Sequence, residues 1–330
     1  MSAQSGIPKH KLSRAAVLAG TGAKIGGNYV KYYAGKAVGR PNREALNEAN
    51  AKETYRSFST LKGGPLKVAQ MLSIDQNFLP RAYRDQFAQS YYSTPPLSVP
   101  LVVRTFSRTL GKHPDEIFDS FTREAVAAAS IGQVHRATIG DKTYAVKIQY
   151  PGVAGSLKSD LGILRPFARH VLNMNPTALD RYMTEAEARL LEECDYGLEL
   201  RRSVALSESS AHLQHIHFPR YYPEYSSSHV ITMDWMEGLP IDQWLKTNPD
   251  EEARDRIGQA MWDFLHFQVH GLKEFHADPH PGNFLVRDGA LVVLDFGCVK
   301  KLDDDFYQAY FKLLEPGLLD RPDDLETCLG

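Results

Sequence analysis

The feature that most constrains this chain of 330 residues is a pair of polar motifs near its C-terminal end. The first is HADPHPGN at 276–283, and the second is D-F-G at 295–297. Two β-rich runs at 283–294 separate them, and these runs flank Asp288 and Gly289, a dipeptide typical of tight turns. The pattern predicts a hairpin that joins the two motifs.

The spacing of these polar residues is typical of phosphoryl transfer. Asp278 and Asn283 are five positions apart, as are the catalytic aspartate and the metal-binding asparagine of the protein-kinase catalytic loop. Asp295 corresponds to the D-F-G aspartate, which supplies the other metal ligand. We therefore predict Asp278 as the catalytic base, and Asn283 and Asp295 as oxygen ligands of Mg²⁺.

Two other interpretations of this segment stay open. His276, Asp278 and His280 alternate as the ligands of a transition-metal site would. That site would leave Asn283 and the D-F-G unexplained. Alternatively, Asp278 caps a turn before Pro279, as aspartate often does.

A second group of candidate residues precedes these motifs. The segment 142–150 alternates like a strand and carries Lys147, which we predict to contact the α- and β-phosphates of a nucleotide. About 20 residues earlier, a loop of small residues occupies the place of a kinase's glycine-rich phosphate loop. Alanine side chains there restrict the positive φ angles that glycine would permit. The loop consists of Ala127, Ala128, Ala129, Ser130, Ile131 and Gly132.

The carboxylate partner of Lys147 is expected on a long helix predicted over 180–213. Asp195 and Glu199 are four residues apart and would share a helix face, whereas Glu193 would point elsewhere. A run of charges on a helix is usually a solvated face, so this segment alone decides little.

The rest of the pattern divides the chain into an α+β arrangement. Helices are predicted over 43–74 with a break near 63–65, over 81–92, from Ser98 to Gly111, and from Pro249 to His270. A second strand is predicted over 229–235. We divide the chain into a basic segment (1–45), a helical extension (46–115) and a two-lobed domain (116–330) whose lobes meet near residue 238.

Charge and cysteine content limit the partners and the compartment. The net charge is −2, so no nucleic-acid partner is expected. Eight Lys and Arg residues but no acid lie within 1–43, which fits contact with an anionic membrane, a solvated tail or a mitochondrial transit peptide. The three cysteines are too scattered for a disulfide framework, so we expect a reducing compartment. No segment has 18 consecutive apolar residues, so no membrane-spanning helix is expected.

These motifs together resemble the UbiB/AarF family of atypical kinases, which includes the mitochondrial ADCK proteins. The resemblance covers roughly residues 50 to 300. The alanine-rich loop matches the family's, 193–195 matches its E-x-D motif, and 67–70 is similar to its K-x-G-Q motif with Ala69 in place of glycine. Glu199 falls where the family's lysine-pairing glutamate lies, and 233–238 resembles the hinge that contacts adenine.

The resemblance implies a two-lobed, protein-kinase-like fold with an N-terminal helical extension that covers the active-site cleft. It implies ATP or ADP with Mg²⁺ as ligands, and a role in isoprenoid-quinone (ubiquinone) biosynthesis or membrane lipid homeostasis. Asp234 and Met236 would then contact the nucleotide. The residues that gate access would be Lys67, Gln70, Glu193 and Asp195.

The same resemblance bears on substrates and location. Ala277 stands where typical kinases carry arginine and no A-P-E follows the D-F-G, so phosphorylation of proteins in trans is disfavoured. The expected location is cytoplasmic and peripheral to the inner membrane, with a mitochondrial location as the alternative. Only 33 residues follow Gly297, so the helical lobe is shorter than the family pattern or the chain is a fragment. Rival functions are a small-molecule kinase of the aminoglycoside or choline type and a nucleotide-binding pseudokinase scaffold.

Overall fold

A computed structural model describes residues 11–39, 42–61, 64–74, 79–88, 97–128, 131–171, 176–277, 281–296, 299–312, 314 and 317. The chain divides into two compact units. The first consists of Met1–Leu200 and Tyr221–Trp235, and the second of Arg201–Arg220 and Met236–Gly330.

Helices and strands both contribute substantially, which confirms the α+β class. The helices are α1 (Lys11–Ala37), α2 (Arg43–Leu61), α3 (Gly64–Ile74), α4 (Arg81–Ala88), α5 (Val99–Leu110), α6 (Pro114–Ile117), α7 (Val153–Val171), α8 (Pro176–Glu193), α9 (Tyr196–Ser209), α10 (Ile241–Lys246), α11 (Glu251–His266) and α12 (Asp304–Lys312). The strands are β1 (Ser120–Phe121), β2 (Ala127–Ala128), β3 (Gly132–Ile139), β4 (Lys142–Gln149), β5 (Ile216–His217), β6 (Val230–Asp234), β7 (Leu239–Pro240), β8 (Glu274–His276), β9 (Phe284–Arg287), β10 (Ala290–Val293) and β11 (Val299–Lys301).

A helical core in the first unit is formed mainly by α1, α2, α3, α4, α7 and α8. Leu18 and Ile25 of α1 are buried in it, and the buried Arg14 pairs with Asp160 of α7. The solvated-tail interpretation of the basic segment is therefore wrong for residues 11–37, because one face of α1 belongs to the apolar core. No helix among the described residues has the length and hydrophobicity needed to cross a bilayer.

The sheet of the first unit has the strand order β1-β3-β4-β6, and β2 pairs with β3. All the pairings in it are antiparallel. The β3–β4 hairpin turns at Gly140, whose φ of 55° lies in the left-handed region that glycine adopts readily. Lys147 lies opposite Val134 on one side and Ile231 on the other, so it is held in the middle of a regular ladder.

The predicted long helix over 180–213 is wrong in one respect, because the structure has two helices there. Helix α8 ends at Glu193, and α9 begins at Tyr196. Asp195 caps α9, since its Oδ1 accepts a hydrogen bond from the backbone N–H of Leu198 at 2.9 Å. An N-cap has non-helical backbone angles, so it interrupts what the charge pattern suggested was continuous.

Other predicted boundaries shift by a few residues. The helix predicted from Pro249 begins at Glu251, because Asp250 is the residue whose side chain accepts from Ala253 N–H, at 2.8 Å. It continues beyond His266 as a π-helix, Phe267–Leu272. Helix α4 ends at Ala88, and residues 89–92 of its predicted range lie outside the described part. Gly111 ends α5 in the left-handed conformation, as predicted.

The second unit is built on a sheet of order β5-β10-β9-β7, with α11 packed against β10. Its core includes Ile257, Phe264, Leu291 and Phe296. The predicted hairpin over 283–294 is confirmed as β9 and β10. Asp288 and Gly289 form its turn with φ angles of 50° and 74°, which suits Asp-Gly because both residues tolerate positive φ.

Candidate functional site

The first candidate pair is Lys147 and Glu199. Lys147 Nζ donates to Glu199 Oε1 at 2.5 Å, and the two side chains are 9% and 6% exposed. Glu199 lies in the first turn of α9, where the positive end of the helix dipole favours a carboxylate. Burial of both charges lowers the local dielectric and strengthens their attraction. The structure thus brings together the strand lysine and the helix glutamate that the sequence suggested as partners.

The alanine-rich loop lies next to this pair along the sheet. Ala127 and Ala128 form β2 and pair with Val134 and Gln133, while Ala129 and Ser130 lie outside the described residues. Ile131 is buried, and its carbonyl accepts from Tyr150 N–H at 2.8 Å. The loop is therefore joined to β3 at one described end and to the residue after β4 at the other.

Gly132 ends the loop in a crowded place. A Cβ at Gly132 would lie 2.6 Å from the carbonyl oxygen of Ile148 and 2.6 Å from the hydroxyl of Tyr196. Only glycine fits there without movement of the backbone of β4. Tyr196 is fully buried, and Lys147 Nζ lies 5.2 Å from the centre of its ring, a distance at which a cation is attracted to an aromatic face.

A second buried ion pair joins Lys67 to Glu193. Lys67 Nζ lies 2.9 Å from Glu193 Oε1, and each side chain is 7% exposed. This agrees with the expectation that Glu193 points away from the face of Asp195 and Glu199, because α8 ends at Glu193 and its carboxylate faces α3. Gln70 also lies on α3, but its side chain is outside the described part. Asp195 is exposed and caps α9.

Cys194 separates Glu193 from the Asp195 cap. Burial, and to a lesser degree the charge of Glu193, raises the pKa of the Cys194 thiol to about 12. The thiol is thus neutral at physiological pH and adds no charge between the two glutamates. The backbone carbonyl oxygen of Cys194 accepts a hydrogen bond from Gln149 Nε2 at 2.9 Å.

The two predicted hinge residues, Asp234 and Met236, belong to different units. Asp234 ends β6, and its Oδ1 accepts from the hydroxyl of Tyr222 at 2.8 Å and lies 3.2 Å from Lys142 Nζ. The carboxylate of Asp234 is therefore held by two side chains of the same unit. Met236 belongs to the second unit and is half-buried.

The predicted metal ligands of the second unit lie at one end of the hairpin. Phe284 pairs with Val293 in the ladder, and the N–H of Leu294 donates to the carbonyl of Asn283 at 2.9 Å. Asn283 therefore lies across from the residue that immediately precedes Asp295. The catalytic-base candidate, Asp278, lies outside the described residues, as does His280.

His276 ties the first polar motif to the second. Its Nε2 lies 2.7 Å from the carbonyl oxygen of Asp295, and this nitrogen must carry the proton because a carbonyl only accepts. A protonated Nε2 has no lone pair for a metal, which argues against this nitrogen as a ligand in the transition-metal interpretation. The His276 side chain is a buried link that fixes the backbone of Asp295.

Sequence reasoning missed two buried glutamines at these motifs. Gln268, in the π-helix, accepts from His276 N–H through its Oε1 at 2.7 Å. Nothing in the local pattern singled it out. Gln149 could have been recognised from the sequence, because it lies two positions after Lys147 and residues two apart on a strand share a face.

A sheet with a buried lysine paired to a helix glutamate, and a hairpin unit that carries Asn283 and Asp295, define a kinase-like protein. The chain belongs to the ABC1 atypical kinase-like family, whose model matches residues 90–321. It is 31% identical over 277 residues to the mitochondrial atypical kinase COQ8 of Saccharomyces cerevisiae, covering 82% of this chain and 54% of that protein. It is 30% identical to the probable serine/threonine-protein kinase abkA of Dictyostelium discoideum, over 83% of this chain and 51% of the relative.

A solved structure is similar as well. The chain matches Rv3197 of Mycobacterium tuberculosis, solved in complex with erythromycin, with a TM-score of 0.52 and 31% identity over 78% of this chain and 66% of the other. The chain spans about half the length of the curated relatives from yeast and Dictyostelium.

Proposed function

We propose that this chain is an ATP- or ADP-binding, Mg²⁺-dependent atypical kinase or ATPase of the UbiB type. The observation that carries the proposal is the buried Lys147–Glu199 ion pair beside the alanine-rich loop. Kinase-like nucleotide sites use a strand lysine oriented by a helix glutamate to hold the α- and β-phosphates. Ions buried this deeply cost desolvation energy, so their retention favours a functional role.

The donor set of the second unit suits magnesium. Mg²⁺ prefers oxygen ligands and is usually held by one or two protein groups together with phosphate oxygens. Asn283 offers an amide oxygen and Asp295 a carboxylate, and the hairpin register places the two residues at the same end. These residues fit the ion, which would neutralise phosphate charge there when bound.

The chain's own residues would divide the remaining work. Lys147 would place its charge against the phosphates, and Glu199 would hold the ammonium in position. Asp278 would accept the proton of the attacking hydroxyl or water. Lys67 and Gln70, with Glu193 and Asp195, would control access to the nucleotide.

The biological setting is proposed from the relatives. COQ8 of yeast and coq-8 of Caenorhabditis elegans are named as mitochondrial atypical kinases. We propose that this chain supports isoprenoid-quinone biosynthesis or membrane lipid homeostasis, peripheral to an anionic membrane. The exposed basic residues of α1, including Lys31 and Lys36, support a membrane contact.

Calorimetric titration with MgADP tests the proposal. Wild type should bind, and Lys147→Met should raise Kd about tenfold or more, because a charge-assisted contact to phosphate is lost. Near-UV circular dichroism checks that the variant is folded. Absence of MgADP binding by the wild type would overturn the proposal.

Turnover separates the rival functions. ATP hydrolysis should be measurable with and without anionic liposomes. Binding without turnover in either condition would leave a pseudokinase scaffold. Efficient transfer to a soluble hydroxyl acceptor would favour a small-molecule kinase.

A further inference from the structure

Gln149, the last residue of β4, connects three parts of the first unit. It lies directly opposite Gly132, the end of the alanine-rich loop, in the β3–β4 ladder. Its backbone N–H donates to the carbonyl of His229 at 2.9 Å. Its side chain is 1% exposed and donates through Nε2 to the carbonyl of Cys194. One residue therefore joins the sheet, the loop and the break between α8 and α9.

The carbonyl that Gln149 binds is at a helix end, where such groups lack partners. The last carbonyls of a helix have no donor within the helix and need one from elsewhere. Here that donor is a side chain from a rigid strand. The hydrogen bond therefore fixes the position of the α8–α9 break relative to β4.

The two buried ion pairs lie on either side of this break. Glu193 immediately precedes Cys194 and pairs with Lys67. Glu199 follows by five residues, in the first turn of α9, and pairs with Lys147. A shift of the break would move both carboxylates at once, because α8 and α9 meet there with only two residues between them.

The break also touches the loop directly. Tyr196, the first residue of α9, has its hydroxyl close to Gly132, and its ring lies beside the Lys147 ammonium. A displaced α9 would therefore press on Gly132 or leave a gap there. Interiors packed this closely transmit such displacements.

We infer that Gln149 is a positioning residue that couples the Lys67–Glu193 pair to the Lys147–Glu199 pair and the alanine-rich loop. The inference rests on the proposed function, since it gives Lys147 a role in nucleotide binding. A substitution of either Gln149 or Glu193 removes a contact that holds the break between α8 and α9. The effects of the two substitutions on nucleotide affinity are therefore not independent.

A double-mutant cycle on MgADP affinity tests the coupling. Gln149→Met keeps the side-chain volume and removes the donor, and Glu193→Gln keeps the shape and removes the charge. Each single variant should raise Kd about fivefold, and the double variant should raise it by about the same factor rather than by the product, as for residues in one network. A double variant whose Kd equals the product of the two single effects would overturn the inference.

Gln133→Met is the matched control for a generally weakened fold. Gln133 is a glutamine on β3 that is also 1% exposed, and its Oε1 accepts from the N–H of Leu97 at 2.8 Å. Its combination with Glu193→Gln should multiply the two single effects on Kd. If Gln133→Met and Gln149→Met deviate equally from multiplicative effects on Kd when each is combined with Glu193→Gln, the deviation reflects a general loss of order. That result would overturn the role of Gln149.

Hydrogen exchange provides a readout that requires neither nucleotide nor a Gln149 variant. The amides of Leu198 and Glu199 donate to Asp195 at the start of α9. Glu193→Gln should speed their exchange about tenfold while amides of β10, in the other unit, stay unchanged. Unchanged exchange at Leu198 and Glu199 would overturn the inference even if MgADP binds. Failure of the wild type to bind MgADP, with faster exchange in the variant, would overturn only the proposed function.

Discussion

Lys67 of α3 and Glu193 of α8 form an ion pair of 2.9 Å although 126 positions separate them in the sequence. Both side chains are almost fully buried, so the pair is desolvated on both sides. Removing one member of such a pair is far more costly than removing a surface charge. The packing of α3 against α8 therefore includes a pair of charges that each helix alone would expose to water.

Lys67→Ala should lower the free energy of unfolding by about 3 kcal/mol, because a buried carboxylate loses its cation. Urea denaturation at pH 7 measures the effect. Lys52→Ala is the matched control, since Lys52 is exposed on α2 and surface substitutions change stability by only about 0.5 kcal/mol. Equal destabilisation by the two variants would contradict the buried pair.

The same variant tests the gate. If Lys67 restrains the nucleotide, Lys67→Ala should increase autophosphorylation measured by radiolabel incorporation, at a temperature where both proteins are fully folded. Wild type and Lys52→Ala should label equally. Identical labelling of all three proteins would exclude a role of Lys67 in controlling access to the nucleotide.

Asp295→Asn should abolish Mg²⁺-dependent stabilisation by ADP, because the carboxylate charge that would hold the ion is lost. A ligand at 100 times its Kd stabilises a protein by about 2.7 kcal/mol, which a thermal melt detects. Asp288→Asn is the control at the other end of the same hairpin, where asparagine also tolerates the φ of 50°. A melting shift in Asp295→Asn equal to that of Asp288→Asn would exclude Asp295 from the metal site.

Asp278→Asn should retain MgADP binding and lose turnover. A catalytic base acts in the transition state and contributes little to affinity in the ground state. Calorimetric Kd and ATP hydrolysis, measured on the same preparation, separate the two effects. Parallel loss of binding and turnover would instead assign Asp278 to the metal or to the fold.

The buried His135 should make the stability of the first unit depend on pH. Burial lowers the pKa of His135, outweighing its hydrogen bond to the carbonyl of Thr122, and its other described neighbours, Gln133 and Phe121, carry no charge. The unfolded chain therefore binds a proton more readily than the folded one. Stability should be full above the usual histidine pKa of about 6.5 and fall as the pH drops below it.

Urea denaturation at pH 7.5 and 5.5 measures this effect. His135→Asn should be less stable than wild type at pH 7.5 but lose less stability between the two pH values. His217→Asn serves as the control, because His217 is exposed on β5. An unchanged pH dependence in His135→Asn would show that other groups titrate.

Lys31→Glu with Lys36→Glu should weaken sedimentation with anionic vesicles. Each basic residue near such a surface contributes about 1 kcal/mol, and high salt should have the same effect as the substitutions. Both lysines are exposed on α1, so the fold is expected to persist. Lys158→Glu, an exposed change on α7, checks for a general charge effect, and equal loss in that variant would argue against a membrane contact through α1.

Local patterns predicted the local features of this fold. The β9–β10 hairpin follows from Asp288 and Gly289, because their backbone preferences select the turn without help from distant residues. The end of α5 at Gly111 follows in the same way. The strand that carries Lys147 was evident from its alternation.

Features that depend on distant contacts were not predictable in this way. Residues 194 and 195, between α8 and α9, are neither glycine nor proline, and the contacts that Gln149 and Lys67 make there come from distant segments. The packing of α1 likewise depends on Asp160, far along the chain. Such contacts leave no periodic trace in a single sequence, since each needs only one residue at each end.

The anchoring of Arg14 limits how far the protein can be trimmed from its N-terminal side. Its Nη2 donates to Asp160 Oδ2 at 2.7 Å, and its Nη1 donates to the carbonyl of Leu61 at 3.0 Å. A peptidase that cuts upstream of Arg14 leaves these contacts intact. A cut downstream of Arg14 removes this cation from the carboxylate of Asp160, which then lies in an apolar interior. We expect the product to unfold and to be degraded. A truncated form that keeps these contacts must therefore begin at or before residue 14.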